Sequence, residues 1–134
     1  MKTKFQLLTL LMSLILLIAC DAIGKHYLKD LDFRRDHGNE YVYNKDGSVF
    51  TGTAWSSDGK TLKIEVSNGI LNQATQYHSN GEIAATVQFT AGSKSRKYFD
   101  TNGNQISEEQ SEELYPELEV QAGAFEHEVH YLEK

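Results

Sequence analysis

A chain of 134 residues suits one domain. Its 13 basic and 19 acidic side chains give a net charge of −6. That balance argues against the basic face that nucleic-acid phosphates require and against a polybasic grip on anionic lipid. The single cysteine excludes an intramolecular disulfide, while ten glycines, seven tyrosines and six phenylalanines point to strands punctuated by glycine turns.

The chain opens Met1-Lys2-Thr3-Lys4, followed by an apolar run from Leu7 to Ala19 broken only by Thr9 and Ser13. A short basic region before such a run is the layout of an export signal, and the run is short of the roughly 20 residues that span a bilayer. Leucine and isoleucine occupy all sides of a helix over this segment, so it lacks the polar face of an amphipathic surface helix. Removal of residues 1–19 leaves 115 residues with 11 basic and 19 acidic side chains, a net charge of −8.

Leu17-Ile18-Ala19-Cys20 resembles the bacterial lipobox, with leucine three residues before the cysteine and a small residue just before it. The resemblance implies cleavage before Cys20, acylation of its sulfur and amine, and a lipid anchor in the cell envelope. Two or three acyl chains anchor firmly, each buried methylene adding about 0.8 kcal/mol. The alternative is an ordinary cleaved signal that leaves Cys20 a free thiol. Asp21 resembles an inner-membrane retention signal in enterobacterial lipoproteins, whereas in other Gram-negative groups acidic residues after the cysteine resemble a surface-export signal. Inner and outer membrane, periplasmic and surface exposure all remain open.

Residues 20–40 are mixed and highly charged, and read as a lipidated tether and leader. A short helix would gather Tyr27, Leu28 and Leu31 on one side, and Asp36-His37-Gly38-Asn39 marks a turn.

Residues 41–107 carry the main regularity. Asp46-Gly47, Asp58-Gly59, Asn68-Gly69, Asn80-Gly81, Ala91-Gly92 and Asn102-Gly103 recur at glycine steps of 12, 10, 12, 11 and 11 residues, a unit of about 22 when alternate turns are taken. Polar-Gly pairs between alternating runs signal hairpins, since tight two-residue turns need positive φ. Trp55, Tyr77 and Phe99 keep the same beat, each four residues before a turn glycine. Leu62, Ile64 and Val66 face one way by alternation, and Ile83, Ala85, Val87 and Phe89 do the same in the next unit, so each strand is expected to bury one side. Lys63, Glu65, Thr86, Gln88, Ser95 and Lys97 form the opposite face, a candidate recognition surface.

The segments Asp46–Lys60, Asn68–Glu82 and Ala91–Asn104 resemble the variant MORN-type repeat, a glycine-punctuated β-hairpin unit of bacterial proteins. Only Gly52 supplies the second glycine typical of that unit, and only Tyr98-Phe99 keeps its double aromatic. The resemblance implies a mostly β fold: consecutive antiparallel hairpins forming an elongated, twisted single sheet, preceded by a cleaved signal helix. The family includes proteins grouped with toxin–antitoxin systems, which bind rather than catalyse.

Residues 108–134 hold nine acidic side chains and one lysine. Ser107 before Glu108, Glu109 and Gln110 predicts a capped helix that Tyr115-Pro116 interrupts, and Phe125 to Leu132 alternates like a closing strand. That strand is expected to pair with residues 41–50 or the last repeat. His127 and His130 would point to opposite faces of it and miss the four-residue spacing of a helical zinc pair, so no metal site is expected.

No nucleophile has a recognisable partner, no Gly-rich loop leads into a phosphate-binding helix, and the one cysteine is committed to lipid. The expectation is therefore a non-catalytic, cofactor-free protein-interaction module, attached to a membrane by its N-terminal lipid and facing a protein partner of unknown identity. An antitoxin or immunity-like protein that neutralises a basic partner, and a purely structural envelope lipoprotein, are the alternatives.

Overall fold

The computed structural model describes residues 24–131, with the backbone alone at 125–128, 130 and 131. The signal segment and Leu17, Ile18, Ala19 and Cys20 lie outside the described residues. The chain is mostly β, a single mixed sheet of ten strands built from consecutive antiparallel hairpins.

The sheet does not begin at residue 41. Residues expected as a leader form β1 (His26–Tyr27), a single 3-10 turn (Leu28–Asp30) and β2 (Leu31–Asp36), which turns at His37-Gly38 into β3 (Asn39–Asn44). The reason is burial: Leu28, Leu31 and Phe33 are among the most deeply enclosed residues of the core, and only a strand places Leu31 and Phe33 on one face. His37 and Gly38 both have positive φ, at 47° and 80°, as a two-residue hairpin turn requires.

Six strands follow: β4 (Gly52–Trp55), β5 (Leu62–Ser67), β6 (Ile70–Tyr77), β7 (Ile83–Thr90), β8 (Ser93–Phe99) and β9 (Gln105–Ile106). They make three hairpins, β4–β5, β6–β7 and β8–β9, whose successive strands pair antiparallel. Two turn types alternate. Asn68-Gly69 is a two-residue turn with φ of 50° and 77°. The turns at Ser56–Gly59, His78–Gly81 and Asp100–Gly103 instead close with the glycine N–H donating to the carbonyl three residues back, at 2.8, 2.9 and 3.0 Å. Asn44–Gly47 does the same at 2.9 Å. In these longer loops only the glycine has positive φ, so Asp46, Asp58, Asn80 and Asn102 do not serve as the first residue of a tight turn. Asp46, Asp58 and Asn80 instead accept the N–H two residues on through Oδ1, an Asx turn repeated along the chain.

Two bulges set which side chains face the core. One between Glu65 and Val66 leaves Asn72 unmatched on β6, so that Leu71 and Ala74 share a face despite their odd spacing. The other leaves Ala84 unmatched on β7 between Ala85, opposite Gln76, and Ile83, opposite Tyr77. Ile83 accordingly breaks from the predicted alternation and is exposed, while Ala84 is buried.

The path β1-β4-β5-β6-β3-β2-β10 places β1 and β2 far apart in the sheet, although only three residues join them. The sheet must curl to bring these strands together, and Leu28, fully buried, sits at the seam. The core fills the curl with Leu31, Phe33, Val42, Phe50, Ala54, Ile64, Val66 and Leu71. Along one edge of β6, Ile70 pairs with Tyr41 of β3 while Gln73–Tyr77 pair with β7. The sheet branches there, and Gly38 at the β2–β3 tip meets Gly92 at the β7–β8 tip, where a Cβ would lie 3.4 Å from the Gly92 Cα.

Beyond β9, Ser107 caps α1 (Glu108–Leu114): its hydroxyl accepts from Gln110 N at 3.1 Å and its own N–H donates to Gln110 Oε1 at 3.0 Å. Helix α2 (Glu117–Glu128) starts after Pro116 and runs through residues expected as a strand. Of its residues Leu118 is buried against the sheet, and Pro116 supplies a helix-compatible start with φ of −60°. Only β10 (His130–Tyr131) is extended there, and it pairs in parallel with Asp32 and Phe33 of β2 rather than with residues 41–50 or the last repeat. Among the described residues no helix is long and apolar enough to cross a membrane.

Candidate functional site

The 22-residue period puts equivalent residues side by side at one end of the sheet. Trp55 stacks on Tyr77, with ring centroids 5.8 Å apart and planes inclined at 22°. Lys25 Nζ lies 4.6 Å from the Trp55 ring and donates to the Gly59 carbonyl at 3.0 Å, tying the start of the described chain to the first repeat turn. Phe99 enters the row through its backbone: its carbonyl lies 2.8 Å from His78 Nε2. His78 is buried, and its ring packs against Tyr115 with centroids 4.5 Å apart. Trp55, Tyr77 and Phe99 therefore join one turn to the next, and the turn glycines Gly47, Gly59, Gly69, Gly81, Gly92 and Gly103 all have positive φ.

Asp58 is the most perturbed carboxylate of this end. Burial by itself would raise its pKa, but donations from the Thr61 hydroxyl, the Thr61 and Lys60 amides and the Ser56 hydroxyl outweigh it. Together they hold the carboxyl well below the usual carboxylate range. Asp100 is lowered by the side chain and backbone of Asn104, as Asp46 is by those of Ser48. These carboxylates are satisfied by donors of their own turns.

The predicted outer face is uneven. Lys63, Glu65 and Thr86 are half-buried, with Lys63 Nζ 3.3 Å from Glu65 Oε1, whereas Gln88, Ser95 and Lys97 are exposed. β8 is paired unevenly along its two edges. On one side β7 pairs it from Ser93 to Tyr98; on the other β9 meets only Tyr98 and Phe99. Among the described residues, Ser93 to Lys97 thus present a free edge that carries Lys94, Arg96 and Lys97.

A cavity of about 340 Å³ opens between the inner face of β6–β8, the β2–β3 hairpin and the two helices. Its wall is apolar at Phe33, Leu71, Val87, Phe89 and Leu118 and charged at Arg35, Glu40, Lys94, Arg96, Glu108 and Glu112. Gln76 Nε2 donates to the Leu118 carbonyl at 2.8 Å, and the Tyr98 hydroxyl donates to Glu108 Oε1 at 2.7 Å, so both helices are pinned to the sheet. Partial burial and the Glu108 acceptor push the Tyr98 phenol up. Glu40 was not singled out by its sequence, because residues 20–40 read as a tether. The signal available was the alternation of Leu31 and Phe33 followed by the His37-Gly38 turn, which is that of a hairpin. Among the described residues no group of three or more His, Cys, Asp or Glu side chains is gathered for a metal ion.

No family model, curated protein or solved structure matches the chain.

Proposed function

We propose that the chain is a non-catalytic protein-interaction module of the bacterial cell envelope, held by lipid on Cys20 and recognising its partner through the free edge of β8. The open edge carries this reading: among the described residues, five, Ser93 to Lys97, have a strand on one side only. An unpaired strand edge offers main-chain donors and acceptors to an incoming extended segment. Lys94, Arg96 and Lys97 repel indiscriminate pairing and select a partner strand with acidic side chains. The anchor rests on the apolar run and on Leu17-Ile18-Ala19-Cys20.

A second reading, an immunity-like protein that neutralises a basic partner by occlusion, is favoured by the acidic helices, where Glu108, Glu109, Glu112, Glu113, Glu117 and Glu119 are exposed.

Two experiments test these readings. Growth of an expressing bacterium with labelled palmitate should label the wild-type chain and leave Cys20→Ser unlabelled; an unlabelled wild type overturns the anchor. A photo-crosslinking residue at position 95 should trap one discrete partner in the envelope, and Lys94→Glu with Lys97→Glu should abolish that adduct. A discrete adduct formed from position 112 or 113 instead, and unaffected by the β8 variants, would favour occlusion by the helices.

A further inference from the structure

We propose that the cavity beneath the two helices binds a small amphiphilic amine, its apolar body against the inner face of the sheet and its ammonium group on the carboxylate of Glu40. Glu40 lies opposite Arg35 in the β2–β3 hairpin and is 7% exposed. Its Oε1 accepts from Arg35 Nε at 2.7 Å, whereas its Oε2 is closed to solvent and has no donor among the described residues. A carboxylate oxygen has room for two donors, and leaving one buried without any is costly. The fold tolerates that cost at a residue whose side chain forms part of the wall of a cavity.

The rest of the lining narrows the ligand. The volume, about 340 Å³, falls at the lower end of small-molecule sites. Phe33, Val87, Phe89 and Leu118 offer apolar surface that a water molecule would not use. Three cations, Arg35, Lys94 and Arg96, face four carboxylates, Glu40, Glu108, Glu112 and Glu119, so the lining carries one negative charge in excess. An ammonium group neutralises that charge and donates hydrogen bonds, whereas a carboxylate or phosphate ligand would add to it. An uncharged alcohol would supply a donor without the charge. Chemistry therefore favours an amine on a compact apolar body. Lys94 and Arg96 belong both to the cavity wall and to the β8 edge, whereas Glu40, on which the amine rests, belongs to the cavity alone, so the Glu40 variant tests the cavity separately.

The test uses the full chain, with protein-free buffer as the blank, and phenethylamine as the probe against phenethyl alcohol and phenylpropionate. Saturation-transfer NMR should show saturable binding of the amine, about tenfold tighter than the alcohol, and none of the carboxylate. Glu40→Gln, which keeps the side chain's size but removes its charge, should lower amine affinity about tenfold and bring amine and alcohol level. Val87→Trp, which fills the cavity from β7, should abolish binding of both, with circular dichroism confirming that the sheet is retained. Equal binding of amine and alcohol by the wild type, undiminished amine binding by Glu40→Gln or by a folded Val87→Trp, or no saturable binding at millimolar amine overturns the proposal.

Discussion

Trp55 and Tyr77, 22 residues apart in the chain, lie ring on ring with their centroids 5.8 Å apart. Each occupies the last position of its strand, directly before a repeat turn, so the stack couples two hairpins that share no turn. Isolated hairpins are marginal, and contacts of this kind supply the cooperativity of a repeat array. Trp55→Ala should therefore cost about 2–3 kcal/mol, less than for a fully buried ring because Trp55 is half-exposed. Urea denaturation of Trp55→Ala, Tyr77→Ala and the double variant should show that the two losses are not additive.

Gly69 and Gly81 both have positive φ, at 77° and 87°, but stand in different surroundings. A Cβ on Gly69 would meet Val49 side-chain atoms at 3.2 Å and the Val42 carbonyl at 3.4 Å, whereas one on Gly81 meets nothing within 4 Å. Gly81→Ala should cost about 1 kcal/mol from backbone strain alone. Gly69→Ala should cost about 2 kcal/mol or more, because Val49 and the β3–β6 junction must also shift. Comparison of their denaturation midpoints checks the order.

Asp58 gives the fold a pH dependence. Its carboxyl titrates lower folded than unfolded, so its contribution is complete above the unfolded value of about 3.9 and is lost as pH falls toward the folded value. Asp58→Asn keeps an acceptor for the Lys60 and Thr61 amides but removes the charge. The variant should be slightly less stable than wild type at neutral pH and should lose less stability below about pH 4. Urea midpoints measured across the acid range distinguish the two slopes.

Leu28 closes the seam between β1 and β2 with no exposed surface. Leu28→Ala should cost about 3–4 kcal/mol by transfer and cavity formation, a large share of the stability of a domain this size. Calorimetry should show a matching fall in the thermal midpoint. A tether residue would have given no measurable change.

The local features of the repeats were legible in sequence. Glycine spacing located the turns, the period of Trp55, Tyr77 and Phe99 located the hairpin ends, and the Leu62-Ile64-Val66 alternation marked a buried face, because each depends on short-range backbone geometry. The capping box at Ser107 was legible for the same reason. The Asp-Gly and Asn-Gly pairs did not reveal which turns were two residues long, since the same pair suits a tight turn and the longer glycine-closed loop. Nor did alternation foresee the unmatched Asn72 and Ala84, because a bulge is settled by the neighbouring strand.

By itself the sequence determined a strand-rich chain of glycine-punctuated hairpins, an acidic capped helix and an apolar run ending at Cys20. Only the tertiary structure decided that residues 26–36 belong to the sheet, that its ends curl together over Leu28, and that α2 continues to Glu128. It alone brought Glu40 and Arg35 opposite Val87 and Arg96 around one cavity. The physical reason is range. Turns and caps are fixed by residues a few positions apart, whereas burial of a charged, tether-like segment depends on apolar partners that extend from Val42 as far along the chain as Val129, most of them beyond any local pattern.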